Sequence, residues 1–225
     1  MLSFYNVTKT YQLDDKTSIT PVNNLTLDVH QGEFIVITGR SGTGKTTLLN
    51  LASGLVKPTS GIVLINDHNM ADLPDKNISH LRSGTIGFIF QFPSLLPALN
   101  VLENVSLPSI FMAHKSKKET NDRALKLLDK LRLQDKTAVY PRQLSAGEQK
   151  RVVIARSLMN EPHLVLADEP TSDLDIKTEN EVMGILRDIN GEGVTFLIVT
   201  HSLQLVQFAT RAFEMQNGTL NGIMN

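Results

Sequence analysis

The 225-residue chain carries 22 basic and 23 acidic side chains, a net charge of −1. No global field therefore directs it to nucleic acid or to anionic lipid, and recognition must rest on local sites. It contains no cysteine, which excludes disulfides and cysteine metal sites and suits a reducing compartment. Its length fits one α/β unit with a sizeable core and room for an inserted lobe.

The opening residues MLSFYNVTKTYQ lack a basic start followed by an apolar stretch, and no segment approaches about 18 consecutive apolar residues. A soluble chain is expected, with any membrane association supplied by a partner. Residues 2–7 and 25–29 alternate in part and read as strands of a half-exposed antiparallel sheet, separated by a polar stretch containing Pro21. Tyr11 follows the first strand and reads as an edge aromatic unless a nucleotide site lies beside it.

Residues 34–52, FIVITGRSGTGKTTLLNLA, lay a buried strand, a glycine-rich loop and a helix end to end. Gly39, Arg40, Ser41, Gly42, Thr43, Gly44, Lys45 and Thr46 fit GxxxxGK[ST]. In that pattern glycines let consecutive N–H groups curl around phosphate oxygens. Lys45 supplies a point charge, Thr46 a hydroxyl for Mg²⁺, and the helix N-terminus a partial positive charge. After glycines and Pro58, a strand resumes at 62–65; residues 66–85 read as loop with a short helix near 77–82.

The apolar run 86–90 ends at Gln91. Residues 92–158 read as a mainly helical insertion, with 119–133 one-faced and Lys115, Lys117 and Lys118 at a solvated helix entrance. Leu164 to Ala167 run into Asp168 and Glu169; an amphipathic helix follows through Ile189, and a strand over 195–199 ends at His201. The tail reads as one amphipathic helix and a hairpin at Asn217 and Gly218. Alternating strands and helices imply an α/β fold with a mostly parallel sheet and right-handed crossovers. The core comprises 1–91 and 159–225, with 92–158 inserted.

In open α/β sheets ligands bind beyond the carboxyl ends of the strands, where Gly39, Gln91, Asp168 and His201 should converge. Asp168 can then reach a magnesium ion held by Thr46, and Glu169 can orient or deprotonate water. Taken alone, the two acids also fit a solvated turn and His201 a structural role. Ser145 and Glu148 form a capping box opening the helix that follows. That same N-terminus is an anion site, able to serve another subunit's γ-phosphate.

The ordered set GRSGTGKT, Gln91, LSAGEQ, LVLADEPTSDLD and VTHS resembles the nucleotide-binding subunit of an ATP-binding cassette (ABC) transporter over essentially the whole chain. GFIFQFPSLLPALNVLENV and VLADEPT are similar to the branch of lipoprotein-releasing, macrolide-export and antimicrobial-peptide-resistance ATPases. The resemblance implies a P-loop NTPase, RecA-like core with an N-terminal antiparallel β subdomain and an inserted α-helical subdomain. It implies ATP and Mg²⁺ as cofactors: Tyr11 stacks on adenine, the loop from Gly39 through Thr47 surrounds the phosphates, and Thr46, Gln91 and Asp168 attend the metal. Lys45, Gln91, Glu169 and His201 carry hydrolysis, while Ser145, Gly147 and Glu148 meet the nucleotide of a second subunit.

The implied partners are a second copy of the chain and an integral membrane permease, with no nucleic acid, on the cytoplasmic face of the inner membrane. The implied activity is transport-coupled ATP hydrolysis. An ABC-type ATPase of a signalling, division or ribosome-associated system is the alternative. Ala146, Glu148, Asp173 and Ser202 depart from the family's usual residues; if position 146 requires φ > 0, alanine there is strained by about 1 kcal/mol.

Overall fold

The computed structural model describes residues 1–14, 16–112 and 116–223; His114 and Lys115 lie outside the described residues. In chain order come β1 (Leu2–Gln12), β2 (Ser18–Val29), β3 (Phe34–Thr38), α1 (Lys45–Ala52), β4 (Ser60–Ile65), β5 (His68–Asn69), α2 (Asp75–Thr85) and β6 (Ile86–Ile89). Then follow α3 (Val101–Ser106), α4 (Lys117–Lys130), α5 (Ala146–Ser157), β7 (Leu164–Asp168), α6 (Ile176–Gly191), β8 (Thr195–Thr200), β9 (Arg211–Gln216) and β10 (Thr219–Ile223).

Among the described residues the strands form two sheets. One is six-stranded, ordered β10-β9-β3-β8-β7-β6 and parallel except for β10; the other is antiparallel, ordered β2-β1-β4-β5. Every residue of β3, β7 and β8 is buried, the signature of parallel strands covered on both faces. Their side chains alternate between two cores. Phe34, Val36, Val165, Ala167, Phe196 and Ile198 join the helices between β6 and β7, together with α6. Ile35, Ile37, Leu164, Leu166, Leu197 and Val199 join α1 and the inner face of the antiparallel sheet.

The two N-terminal strands run longer than their apolar segments. β1 pairs with β2 from Leu2↔Val29 to Gln12↔Ser18 through several register shifts. Pro21 is accommodated because β2 is an edge strand, where a missing N–H breaks no ladder. Residues 75–85 form a full helix rather than a loop with a short helix at 77–82. Only Ile78 and Leu81 turn to the core, too few for a visible period, while Arg82 anchors the last turn on the Gly54 carbonyl at 3.2 Å. The expected tail helix is a 3-10 segment, Leu203–Phe208. The hairpin forms as expected, with positive φ at both Asn217 (49°) and Gly218 (79°), as a two-residue I′ turn requires.

Candidate active site

The strand ends bring most of the expected residues to one cavity of about 580 Å³. Ser41, Gly42, Gly44, Lys45, Thr46 and Thr47 form one wall, Gln91, Asp168, Glu169 and His201 another, and Tyr11, Ile19 and Pro21 of the antiparallel sheet a third. Tyr11 is thus a cavity residue, with the Lys9 ammonium 4.9 Å from its ring centroid. Arg40 and Thr43 line a separate recess against β9 and its turn rather than the main cavity. Ser145, Gly147 and Glu148 lie outside the cavity.

The loop owes its path to two glycines. Gly44 has φ 106°, and a Cβ there would lie 1.9 Å from the Pro21 carbonyl oxygen; at Gly39 (φ 156°) it would lie 2.7 Å from that of Met215. Any larger residue would push the loop off both sheets. Lys45, 7% exposed, donates to the carbonyls of Gly39 at 2.7 Å and Arg40 at 3.0 Å. Burial lowers its pKa, against the opposing charges of Glu169 and Asp168.

Asp168 closes β7 and is buried. Burial raises its carboxyl pKa, a hydrogen bond from Thr46 acts to lower it, the charge of Glu169 raises it and that of Lys45 lowers it. A threonine hydroxyl, a carboxylate and the amide of Gln91 are hard oxygen donors of the kind Mg²⁺ prefers, with phosphate oxygens and water completing its shell. Among the described residues no cluster of three His, Asp or Glu side chains could hold a metal alone.

Glu169 has a left-handed backbone, φ 48°. Its N–H donates to the Val199 carbonyl at 2.9 Å. Oε2 accepts from Thr200 Oγ1 at 2.9 Å, and Oε1 lies 2.9 Å from His201 Nδ1. The imidazole is 67% exposed, so one end of the pair is held in protein and the other faces the cavity. Two participants escaped the sequence reading. Thr200 is the last residue of an apolar strand, and Lys150 stands in a polar run; neither residue type there signals a partner on another element.

At α5, Glu148 Oε2 accepts from the Ser145 N–H at 2.8 Å and from its hydroxyl at 2.9 Å, while the Glu148 N–H donates to Ser145 Oγ at 3.3 Å. The capping box is therefore present. Ala146 is the first residue of the helix, so the strain anticipated for it does not arise. Asp173 has φ 65°, a conformation that aspartate tolerates better than most residues.

A family model described as ABC transporter matches residues 22–172. The chain belongs to the ABC transporter family as an ATP-binding protein. Like other ABC ATP-binding proteins it is an ATPase, and ATP is its nucleotide. It is 41% identical over 221 residues to the lipoprotein-releasing system ATP-binding protein LolD of Buchnera aphidicola, covering 98% of this chain and 96% of that protein. It is 39% identical over 220 residues to the ABC transporter ATP-binding protein YknY of Bacillus subtilis, covering 98% and 95%. The ABC cassette MJ0796 of Methanocaldococcus jannaschii has been solved as a dimer in a post-hydrolysis state bound to ADP and Pi. It matches with a TM-score of 0.90 at 40% identity, over 98% of this chain and 97% of that one.

Proposed function

We propose that two copies of the chain close on two molecules of Mg·ATP, each cavity completed by the α5 N-terminus of the other copy, and that closure and reopening drive a membrane-embedded permease. The observation carrying this reading is a division of labour. Lys45, Thr46, Gln91, Asp168, Glu169 and His201 share one cavity, whereas the capped N-terminus of α5, an anion site by construction, lies outside it. That MJ0796 is dimeric with ADP and Pi bound supports the pairing of two copies.

Lys45 and the loop N–H groups bind and orient the β and γ phosphates, and Tyr11 offers its ring to the base. Thr46, Asp168 and Gln91 would hold Mg²⁺, which when bound would neutralise phosphate charge. Glu169 takes the proton of the attacking water, and its contact with His201 Nδ1 holds the exposed ring at the cavity edge. Orientation and charge stabilisation supply the rate, as phosphoryl transfer demands.

The face beside Gln91 fits the permease. Phe92 is 69% and Phe111 73% exposed, and Phe88 stacks on the half-exposed Phe90 with centroids 4.2 Å apart. A recess of about 290 Å³ between Phe88, Phe90, Pro108 and Phe111 can seat an apolar cytoplasmic segment. No helix among the described residues is long and apolar enough to cross a membrane, so this contact would place the protein on the inner face of the cell membrane. Similarity to the lipoprotein-releasing system protein LolD favours a lipoprotein as the cargo.

Substituting Glu169→Gln should retain ATP binding, trap an ATP-bound dimer visible by light scattering, and reduce turnover by about 10²-fold or more. Turnover near wild type would remove Glu169 as the base. The trapped form should copurify with a multi-span membrane protein; recovery only as a free dimer would count against transport.

A further inference from the structure

We infer that Lys150 is a positioning residue that fastens α5 to the hydrolytic edge of the ATP cavity and sets the placement of Gln91 and Glu169. The inference rests on the function proposed above and deepens it.

Lys150 occupies the second turn of α5, five residues beyond the Ser145 cap, and is 4% exposed. An ammonium has three donors and no acceptor, and a buried one is costly unless its donors are met. Nζ meets three acceptors: the Gln91 carbonyl at 2.6 Å, the Glu169 carbonyl at 3.3 Å and Ser172 Oγ at 3.3 Å. Each belongs to a different place in the site. Gln91 follows β6, Glu169 follows β7, and Ser172 lies in the turn leading to α6. Burial lowers the ammonium's pKa, while the charges of Asp173 and Glu169 oppose that shift.

Two of the acceptors are the main-chain carbonyls of residues whose side chains line the cavity. Glu169 is held in a left-handed conformation, so a fixed partner for its carbonyl bears on where its carboxylate points. The same helix presents Ser145 and Gly147 at its N-terminus. A second copy's nucleotide that draws this N-terminus would therefore shift the shared partner of Gln91 and Glu169, linking closure to hydrolysis. Lys45 and the phosphate loop make no bond to Lys150, so binding of ATP should be independent of it.

The test compares the full chain with Lys150→Met, which keeps an unbranched stem without donors, and Lys150→Arg, which keeps charge and donors. Turnover, KM, equilibrium ATP affinity and melting temperature are measured on each. Lys150→Met should lower kcat by about tenfold or more, with KM and affinity within about twofold of wild type, and Lys150→Arg should recover much of the loss. The inference is overturned if kcat in Lys150→Met stays within about twofold of wild type. It is equally overturned if kcat and affinity fall together with a depressed melting temperature and Lys150→Arg recovers nothing, which marks a purely structural lysine. Should Lys150→Met not fold, Lys150→Gln takes its place under the same two readings. A wild-type chain without ATPase would sink the proposed function as well; an active wild type beside an unaffected Lys150→Met sinks this inference alone.

Discussion

Glu169 is held from every side. Its left-handed backbone costs about 1 kcal/mol or more in a residue with a Cβ. The conformation persists because its N–H, its carbonyl and both carboxylate oxygens are each tied to a different neighbour. Thr200 is one of those ties, buried, donating to Oε2 and accepting the Ser202 N–H at 3.1 Å. Thr200→Val keeps the shape and removes the hydroxyl, leaving a carboxylate oxygen and an amide unmatched. We expect kcat to fall about tenfold and unfolding free energy by about 1–2 kcal/mol. Denaturant titration and steady-state ATPase would show it, and an unchanged kcat would refute the positioning role. Asp168, Glu169, Gln91 and His201 could be read from the sequence because each closes an apolar run. Thr200 could not, since its partner is set by the parallel register of β7 against β8, where Asp168 faces Val199.

The helices differ in how openly the sequence declares them. α5 announces itself through Ser145 and Glu148, local residues whose bonds are made within one turn. α2 hides, since its support comes from Pro74 in extended conformation and from contacts far along the chain. The tail helix is the reverse case, where an apolar pattern over-promised: only Leu205 is fully buried there and the segment settles as 3-10 turns. The α5 cap has a pH signature. The bond from the Ser145 N–H is the main cause holding the Glu148 carboxyl below its ordinary 4.5, with burial acting against it and Lys136 aiding. A pKa depressed by folding means the cap's contribution is complete above the ordinary value and is lost as pH falls through the lower, folded one. Glu148→Gln keeps an acceptor but no titration. The urea midpoint of wild type should therefore drop toward or below that variant's as the buffer is taken from neutrality to below the ordinary carboxylate value. A gap independent of pH would show that the carboxylate adds nothing to the cap.

Across the whole molecule, fold class was legible because the parallel strands read as unbroken apolar runs alternating with helices, whereas the strand order is set by the structure alone. The long β1–β2 pairing was not, because its outer half is polar and its register is broken by bulges. That outer half nevertheless delivers Tyr11, Ile19 and Pro21 to the cavity. The close approach of Gly44 to the Pro21 carbonyl locks the phosphate loop against this sheet, which fixes the span between the aromatic platform and the phosphates. On the proposed roles of Tyr11 and the loop, the cavity would work as a gauge of nucleotide length. With the base on Tyr11 as proposed, the cavity would have little means of judging which purine it holds, because the neighbours of Tyr11 in that wall are the apolar Ile19 and Pro21. Apolar contacts discriminate weakly, whereas a dedicated hydrogen bond would reject the wrong base by about 10⁴. GTP should therefore be hydrolysed with kcat/KM within about tenfold of ATP, so that cellular abundance rather than recognition makes ATP the fuel.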